Sequence, residues 1–221
     1  MTQLNAKPRF SKPSKMPCRS WSLEALDTCP ASMSEGELVD ACKGCYATTG
    51  FYSMPNVKEP RAHNKVDWQA SDWVDVMVAE LDNDRYFRWF DSGDVYHIGL
   101  ANKIFEVMQR TPWCNHWLPT RMHKFAKFAP VLAKMDALSN VVVRLSSDSI
   151  TGETIDAPNS STIIPTISHA LPTMSVCDAY EREGKCAKCR KCWDKTISVV
   201  AYPAHGKKML KQVNQILAIN L

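Results

Sequence analysis

Apolar and polar positions follow two rhythms along the chain. Residues 67–82 carry Trp73, Val74, Met77, Val78 and Leu81 at helical spacing, and residues 96–110 repeat the pattern with Leu100, Ile104, Val107 and Met108. Phe125, Phe128, Leu132 and Met135 mark a third helical stretch, restarted at Pro130, and KKMLKQVNQIL (207–217) reads as an amphipathic helix. Short segments of strand character lie between them: SWSLEAL (20–26), RYFRWF (85–90), HWLPT (116–120), NVVVRLSS (140–147), STIIPTIS (161–168) and TISVVAY (196–202). A short helix is expected from Cys45 toward Gly50, and Pro55 and Pro60 punctuate the stretch after it.

Strand and helix alternate every 25 to 30 residues or so through the middle of the chain, the size of a βα unit. That rhythm predicts the α/β class. It fits a doubly wound sheet or, more sharply, a partial parallel (β/α) barrel whose loops after the strand C-termini collect functional groups. Three regions follow. Residues 1–17 read as a flexible basic arm interrupted by Pro8, Pro13 and Pro17; 18–175 form the barrel body with an N-terminal cysteine loop; 176–221 hold a cysteine-rich segment, a final strand and a helix.

Composition narrows the class without naming a function. With 221 residues, 45% apolar and 23% charged, the chain has the make-up of a folded globule, not of a disordered or collagen-like one. No apolar run approaches the roughly 18 residues of a membrane span, and the N-terminus lacks the apolar core of a signal peptide. A cytoplasmic protein without a membrane partner is expected. The net charge of +4, from 27 basic and 23 acidic residues, is too mild to argue for nucleic-acid binding by itself.

Cysteine changes the picture. Nine cysteines are many for a reducing compartment, and they gather at the two ends. Cys177, Cys186, Cys189 and Cys192 contain overlapping Cys-x2-Cys spacings like those that wrap an iron–sulfur cube, whereas zinc more often takes two separated pairs. Arg182, Lys185, Lys188, Arg190 and Lys191 around them offset a negatively charged cluster. Cys29, Cys42 and Cys45 supply three thiolates at the other end, which on a four-iron cube leaves one iron open. Cys18 and Cys114 read as small buried hydrophobes, although Cys18 is a candidate fourth ligand. The turn Ser92-Gly93-Asp94 allows close backbone approach, and Asp94 either binds an ammonium or hydroxyl group or caps the following helix. Arg121 is a candidate partner for a carboxylate or phosphate. Among dispersed histidines, His205 lies nearest the second cysteine set. No phosphate-binding glycine loop and no Gly-x-Ser-x-Gly elbow is present.

The motifs TCP…CKGCYATTGFY, RWFDSGDV, HWLPTR, VVVRLSSD and CAKCRKCWD together resemble a bacteriophage family of radical-SAM-like proteins, the gene product eighty-eight type, over residues 15–206. The resemblance implies a phage iron–sulfur protein with a partial TIM-type barrel and one or two [4Fe–4S] clusters. By the wider radical SAM likeness, Cys29, Cys42 and Cys45 bind the cluster, with twelve residues between the first two where that superfamily usually has three. The aromatic residue that often precedes the last cysteine there is matched by Tyr46, which follows it. Ser92, Gly93 and Asp94 stand in the place of the turn that holds the amino group of S-adenosylmethionine. Arg121, with Ser146, Ser147 and Asp148, occupies positions that often contact that cofactor.

Three functions follow. The first is a radical SAM enzyme in which Asp94, Arg121 and His205 act on a small-molecule or nucleic-acid-derived substrate and a host flavodoxin or ferredoxin supplies electrons. The second keeps the open iron as a Lewis acid for ester or thioester hydrolysis. The third is a non-catalytic metal module that binds nucleic acid or protein.

Overall fold

The computed structural model describes residues 5–219, and the side chains of residues 5–218. Its frame is a mixed α/β sheet of eight strands in the order β1-β2-β5-β6-β7-β8-β10-β9. β1 (Phe10–Ser11) runs antiparallel to β2 (Arg19–Trp21), and every other pairing in this sheet is parallel. The parallel strands are β5 (Tyr86–Trp89), β6 (Asn115–Thr120), β7 (Val141–Ser146), β8 (Ser160–Ile164), β9 (Met174–Val176) and β10 (Val199–Pro203), with β2. Between β2 and β5 lie a separate hairpin, β3 (Met33–Ser34) with β4 (Glu37–Leu38), and three helices: α1 (Asp40–Lys43), α2 (Pro55–Asp67) and α3 (Trp73–Glu80). α4 (Ile98–Arg110) connects β5 to β6, α5 (Ala129–Asp136) connects β6 to β7, and α6 (Lys207–Ile219) follows β10. β1 and β9 form the two edges, so the sheet does not close into a barrel.

Strand alternation sorts the two faces. Phe87, Trp89, Leu118, Val141 and Val143 pack with Trp73, Met77, Leu100, Ile104, Leu132 and Met135 from α3, α4 and α5 in one apolar core. The opposite face carries Tyr86, Arg88, Trp117 and Arg144, and the segment between β9 and β10 lies across it. There Trp193 packs edge-on against Tyr86 and Trp117, and its Nε1 donates to the Phe87 carbonyl at 3.0 Å. Arg144, fully buried, donates to the carbonyls of Ser160, Lys191, Asp194 and Ile197 and fixes the same segment.

Several boundaries differ from the sequence expectation. The strand expected over 20–26 ends at Trp21, opposite Trp89, beyond which its partner β5 turns away at Phe90 (φ 58°). The helix expected from Cys45 is two short 3-10 turns. α3 starts six residues after the expected 67. The strands expected over 161–168 and 196–202 shift to Ser160–Ile164 and Val199–Pro203. α2 is a helix where only proline punctuation is read: Pro55 sits in its first turn, where the missing N–H costs nothing. The segment expected as a flexible arm lies along the body where it is described. Ala6 N donates to Asp72 Oδ1, and Asn64 of α2 bonds both the N–H and the carbonyl of Arg9. Among the described residues no helix is long and apolar enough to cross a membrane.

Candidate functional site

The first cysteine loop follows β2. Cys29 N donates to the Leu26 carbonyl, and the chain then leaves as the β3–β4 hairpin, turned by Glu35 and Gly36, both at positive φ. Val39 N returns to the Ser32 carbonyl at 2.8 Å, so the hairpin is closed at its base and Cys42 comes back beside Cys29. Cys42 N then bonds the Val39 carbonyl and Cys45 N the Cys42 carbonyl. The long spacing between Cys29 and Cys42 is thus an excursion that leaves the loop's base compact. Gly44 gives α6 room: a Cβ there would stand 2.9 Å from Met209 Cε.

The Ser92-Gly93-Asp94 turn clamps this loop. Leu23 N donates to the Ser92 carbonyl and Asp94 N to the Thr28 carbonyl, both at 3.1 Å. Gly93 has φ +77°, and a Cβ on it would lie 2.7 Å from Leu23 Cβ and Thr28 Oγ1. Asp94 is buried and accepts from Val95 N, Thr120 Oγ1 and Arg121 N at 2.7, 2.7 and 2.9 Å. It therefore ties the end of β5 to the end of β6. The cap of α4 is instead His97, whose Nδ1 accepts from Gly99 N. Burial raises the Asp94 pKa above the ordinary carboxylate value, and those three hydrogen bonds pull it partly back. Arg121 donates to Asp148 Oδ1 and to the Ser147 carbonyl, which aligns its guanidinium across the ends of β6 and β7.

A cavity of about 810 Å³ opens at the C-terminal ends of the parallel strands. Cys29, Cys42 and Cys45 line it, and so do Cys177, Cys186 and Cys192 from the other end of the chain. Tyr46, Ser92, Gly93, Asp94, Arg121, Ser147 and His205 reach it too. Cys189 does not. It lines a separate open depression beside Tyr86 and Asn115. Cys177 is placed by its N–H on the Ala201 carbonyl, Cys186 by its N–H on the Lys15 carbonyl, and Cys192 Sγ lies 3.3 Å from the Tyr202 hydroxyl. Cys114 is buried in the apolar core, and Cys18 is half-buried at the start of β2.

All nine cysteines are free thiols. Burial pushes Cys29 up to about 12, with the Asp94 charge adding to it and Cys42 and Cys45 adding less. Burial also raises Cys42 and Cys45, and the Arg121 charge opposes it at both. Among the described residues no group of three or more His, Cys, Asp or Glu side chains is gathered around a single ion position. Thiolates on one tetrahedral zinc stand only ~3.8 Å apart, from Zn–S bonds of about 2.3 Å. Cys29, Cys42 and Cys45 are not gathered that closely; they line the cavity with the Arg121 guanidinium near Cys42 and Cys45.

His205 Nδ1 faces the Pro203 carbonyl at 3.2 Å, which assigns the proton to Nδ1 and leaves Nε2 as the basic nitrogen. Its ring stacks on Tyr46 and tilts over Tyr180, and burial lowers its pKa. Tyr46 Oη donates to the Asp91 carbonyl at 2.6 Å. Ser147 Oγ accepts from Ser149 N and shapes the turn after β7.

Sequence reasoning missed a second layer. Arg61 of α2 donates to both oxygens of Asp91 at 3.2 Å and to Ser92 Oγ, and Tyr52 donates to Asp91 Oδ2. Arg88 and Tyr202 also line the cavity. The signal available was alternation: Arg88 lies between Phe87 and Trp89 on a strand, so it faces away from their core.

The family model described as Gene product 88 matches residues 2–195. No curated protein and no solved structure matches the chain.

Proposed function

The chain belongs to the gene product 88 family, and we propose that this member is a phage iron–sulfur enzyme on a partial parallel barrel of the radical SAM kind. In this reading Cys29, Cys42 and Cys45 hold a [4Fe–4S] cluster, and Cys177, Cys186 and Cys192, with Cys189 behind them, serve a second one. One observation carries the reading: the hairpin closes the long cysteine spacing, so three thiols face one cavity beside the Ser92-Gly93-Asp94 turn and Arg121. A cluster held by these three thiolates would supply one open coordination position for S-adenosylmethionine and one-electron chemistry beside it.

The chain's own groups have separate tasks. Asp94 spends its lone pairs on Val95, Thr120 and Arg121, so it holds the turn in place. Arg121, steadied by Asp148, offers a cation for a carboxylate at the cavity edge. Nε2 of His205 is the base available to move a proton. Exposed Leu26 and Phe51 at the mouth give an apolar rim. The reading places the protein in the host cytoplasm, drawing electrons from a flavodoxin or ferredoxin.

The test is iron and sulfide content with EPR on anaerobically purified, reduced protein, before and after adding S-adenosylmethionine. A cluster signal that shifts on addition, with 5′-deoxyadenosine and methionine as products, is expected, and Cys42→Ala/Cys45→Ala should lose that response. A cluster indifferent to the cofactor would transfer the reading to Lewis-acid hydrolysis. Zinc without iron would overturn both.

A further inference from the structure

We infer that Arg88 anchors an anionic group of the substrate, a carboxylate or a phosphate, inside the cavity between the two cysteine sets. The register of β5 with β6 sets Arg88 opposite Trp117, and the guanidinium lies 4.5 Å from the centre of the Trp117 ring. Stacking of this kind fixes the plane of the guanidinium and leaves its edge free to donate.

The edge meets only neutral groups among the described residues. Nη1 donates to the thioether of Met16 at 3.2 Å, the Tyr46 hydroxyl is a further hydrogen-bond partner of the guanidinium, and Nε is buried without a partner. Among the described residues no carboxylate lies within ion-pair distance of Arg88. The other arginines of the cavity each have one: Arg9 has Glu59, Arg61 has Asp91 and Arg121 has Asp148. Asp91 is the carboxylate that bears on Arg88 electrostatically, but its oxygens accept from Arg61 and Tyr52.

An arginine cannot shed its proton, and a sheltered guanidinium without an anion is costly. Its five donors form a planar fork that matches a carboxylate or phosphate. Tyr46, Tyr52 and Tyr202 line the same cavity as Arg88. Arg88 lies on β5, just ahead of the Ser92-Gly93-Asp94 turn that clamps the three-cysteine loop. An anion held there would place the rest of a substrate upward, toward that loop. The inference does not depend on which group the cysteines hold.

The test uses the anaerobically purified full chain with inorganic phosphate or succinate as the probe, at ionic strength held constant with chloride. One of the two is expected to raise the melting temperature by about 3–5 °C at ~10-fold excess over its dissociation constant. Response to phosphate would indicate a phosphorylated substrate, and response to succinate alone a carboxylic acid. Arg88→Met, which keeps an unbranched chain over Trp117, should bind at least about tenfold more weakly, and Arg88→Lys should fall between. In the unaltered chain the same anion should slow modification of Arg88 by phenylglyoxal, read by peptide mass spectrometry. An equal thermal response in Arg88→Met, or no protection by either anion, overturns the inference. So does protection that tracks cluster content alone, which would make Arg88 the counter-charge of the cluster. Iron content of Arg88→Met separates the two proposals: unchanged iron leaves the cluster reading standing whatever the anions do.

Discussion

Replacing Gly93 with alanine is expected to destabilise the fold by about 2–4 kcal/mol, the sum of a left-handed backbone penalty and a clash that must be relieved by movement. The clash falls on Leu23 and Thr28, so the movement reaches Cys29 next door. Denaturant midpoint and iron content should therefore fall together. His116 gives a separate, pH-dependent expectation. Trp89 Nε1 donates to its Nδ1, and Thr111, which donates its hydroxyl hydrogen to the Val107 carbonyl, accepts from its Nε2, so the neutral ring is fully bonded. Burial lowers its pKa to about 3. The unfolded ring, near 6.5, binds more protons than the folded one below that pH, so stability rises with pH across this interval. From neutrality to pH 5 about 2 kcal/mol should be lost on this account. His116→Phe should flatten the slope between pH 6.5 and 4 in urea melts, whatever its effect on absolute stability.

At the scale of elements, the two prominent helices α3 and α4 are legible because an apolar stripe repeats along each. α2 is not legible, for a physical reason: its buried side chains are Arg61 and Asn64, so the face that packs is polar and leaves no apolar period. Its anchor is electrostatic. Arg61→Ala should cost about 3–5 kcal/mol, because Asp91 would stay buried without its cation. The hairpin between Cys29 and Cys42 is the opposite case. It shows in the sequence only as distance, although Glu35-Gly36 is a turn signal. Among the described residues its strands pair only with each other, and Met33, Glu35 and Glu37 are exposed. Replacing residues 33–38 with a two-glycine link should leave iron content unchanged and shift stability by no more than ~1 kcal/mol. Loss of iron on that deletion would mean that the hairpin shapes the thiols directly.

For the whole molecule, the α/β alternation is legible from spacing, but the order of the last strands is not. β10 enters between β8 and β9, and no local pattern distinguishes an edge strand of three residues from an inner one of five. The convergence of both cysteine sets on one cavity is legible only in outline, since the loops that deliver them come from opposite ends of the chain. Cys189 illustrates the difference: its spacing is indistinguishable from that of its neighbours, yet it faces the far side. Arg144 is the whole-molecule counterpart of Gly93. Arg144→Met would strip the carbonyls of Ser160, Lys191, Asp194 and Ile197 of their donor, at a cost of about 3 kcal/mol or more. Amide exchange over residues 186–198 should accelerate in that variant, while α3 and α4 keep their protection.

The swapped edge also sets an order of events during synthesis. Among the described residues β9 pairs only with β10, which leaves the ribosome later. From Cys177 to Pro203 that delay is about 1–5 s at ~5–20 residues per second. Until β10 slots against β8, the intervening segment has nothing to dock its first end on. Over those seconds the face bearing Arg88 and Trp117 stands open, with Cys29, Cys42 and Cys45 already made, and the cavity acquires its second wall only as the last strand arrives.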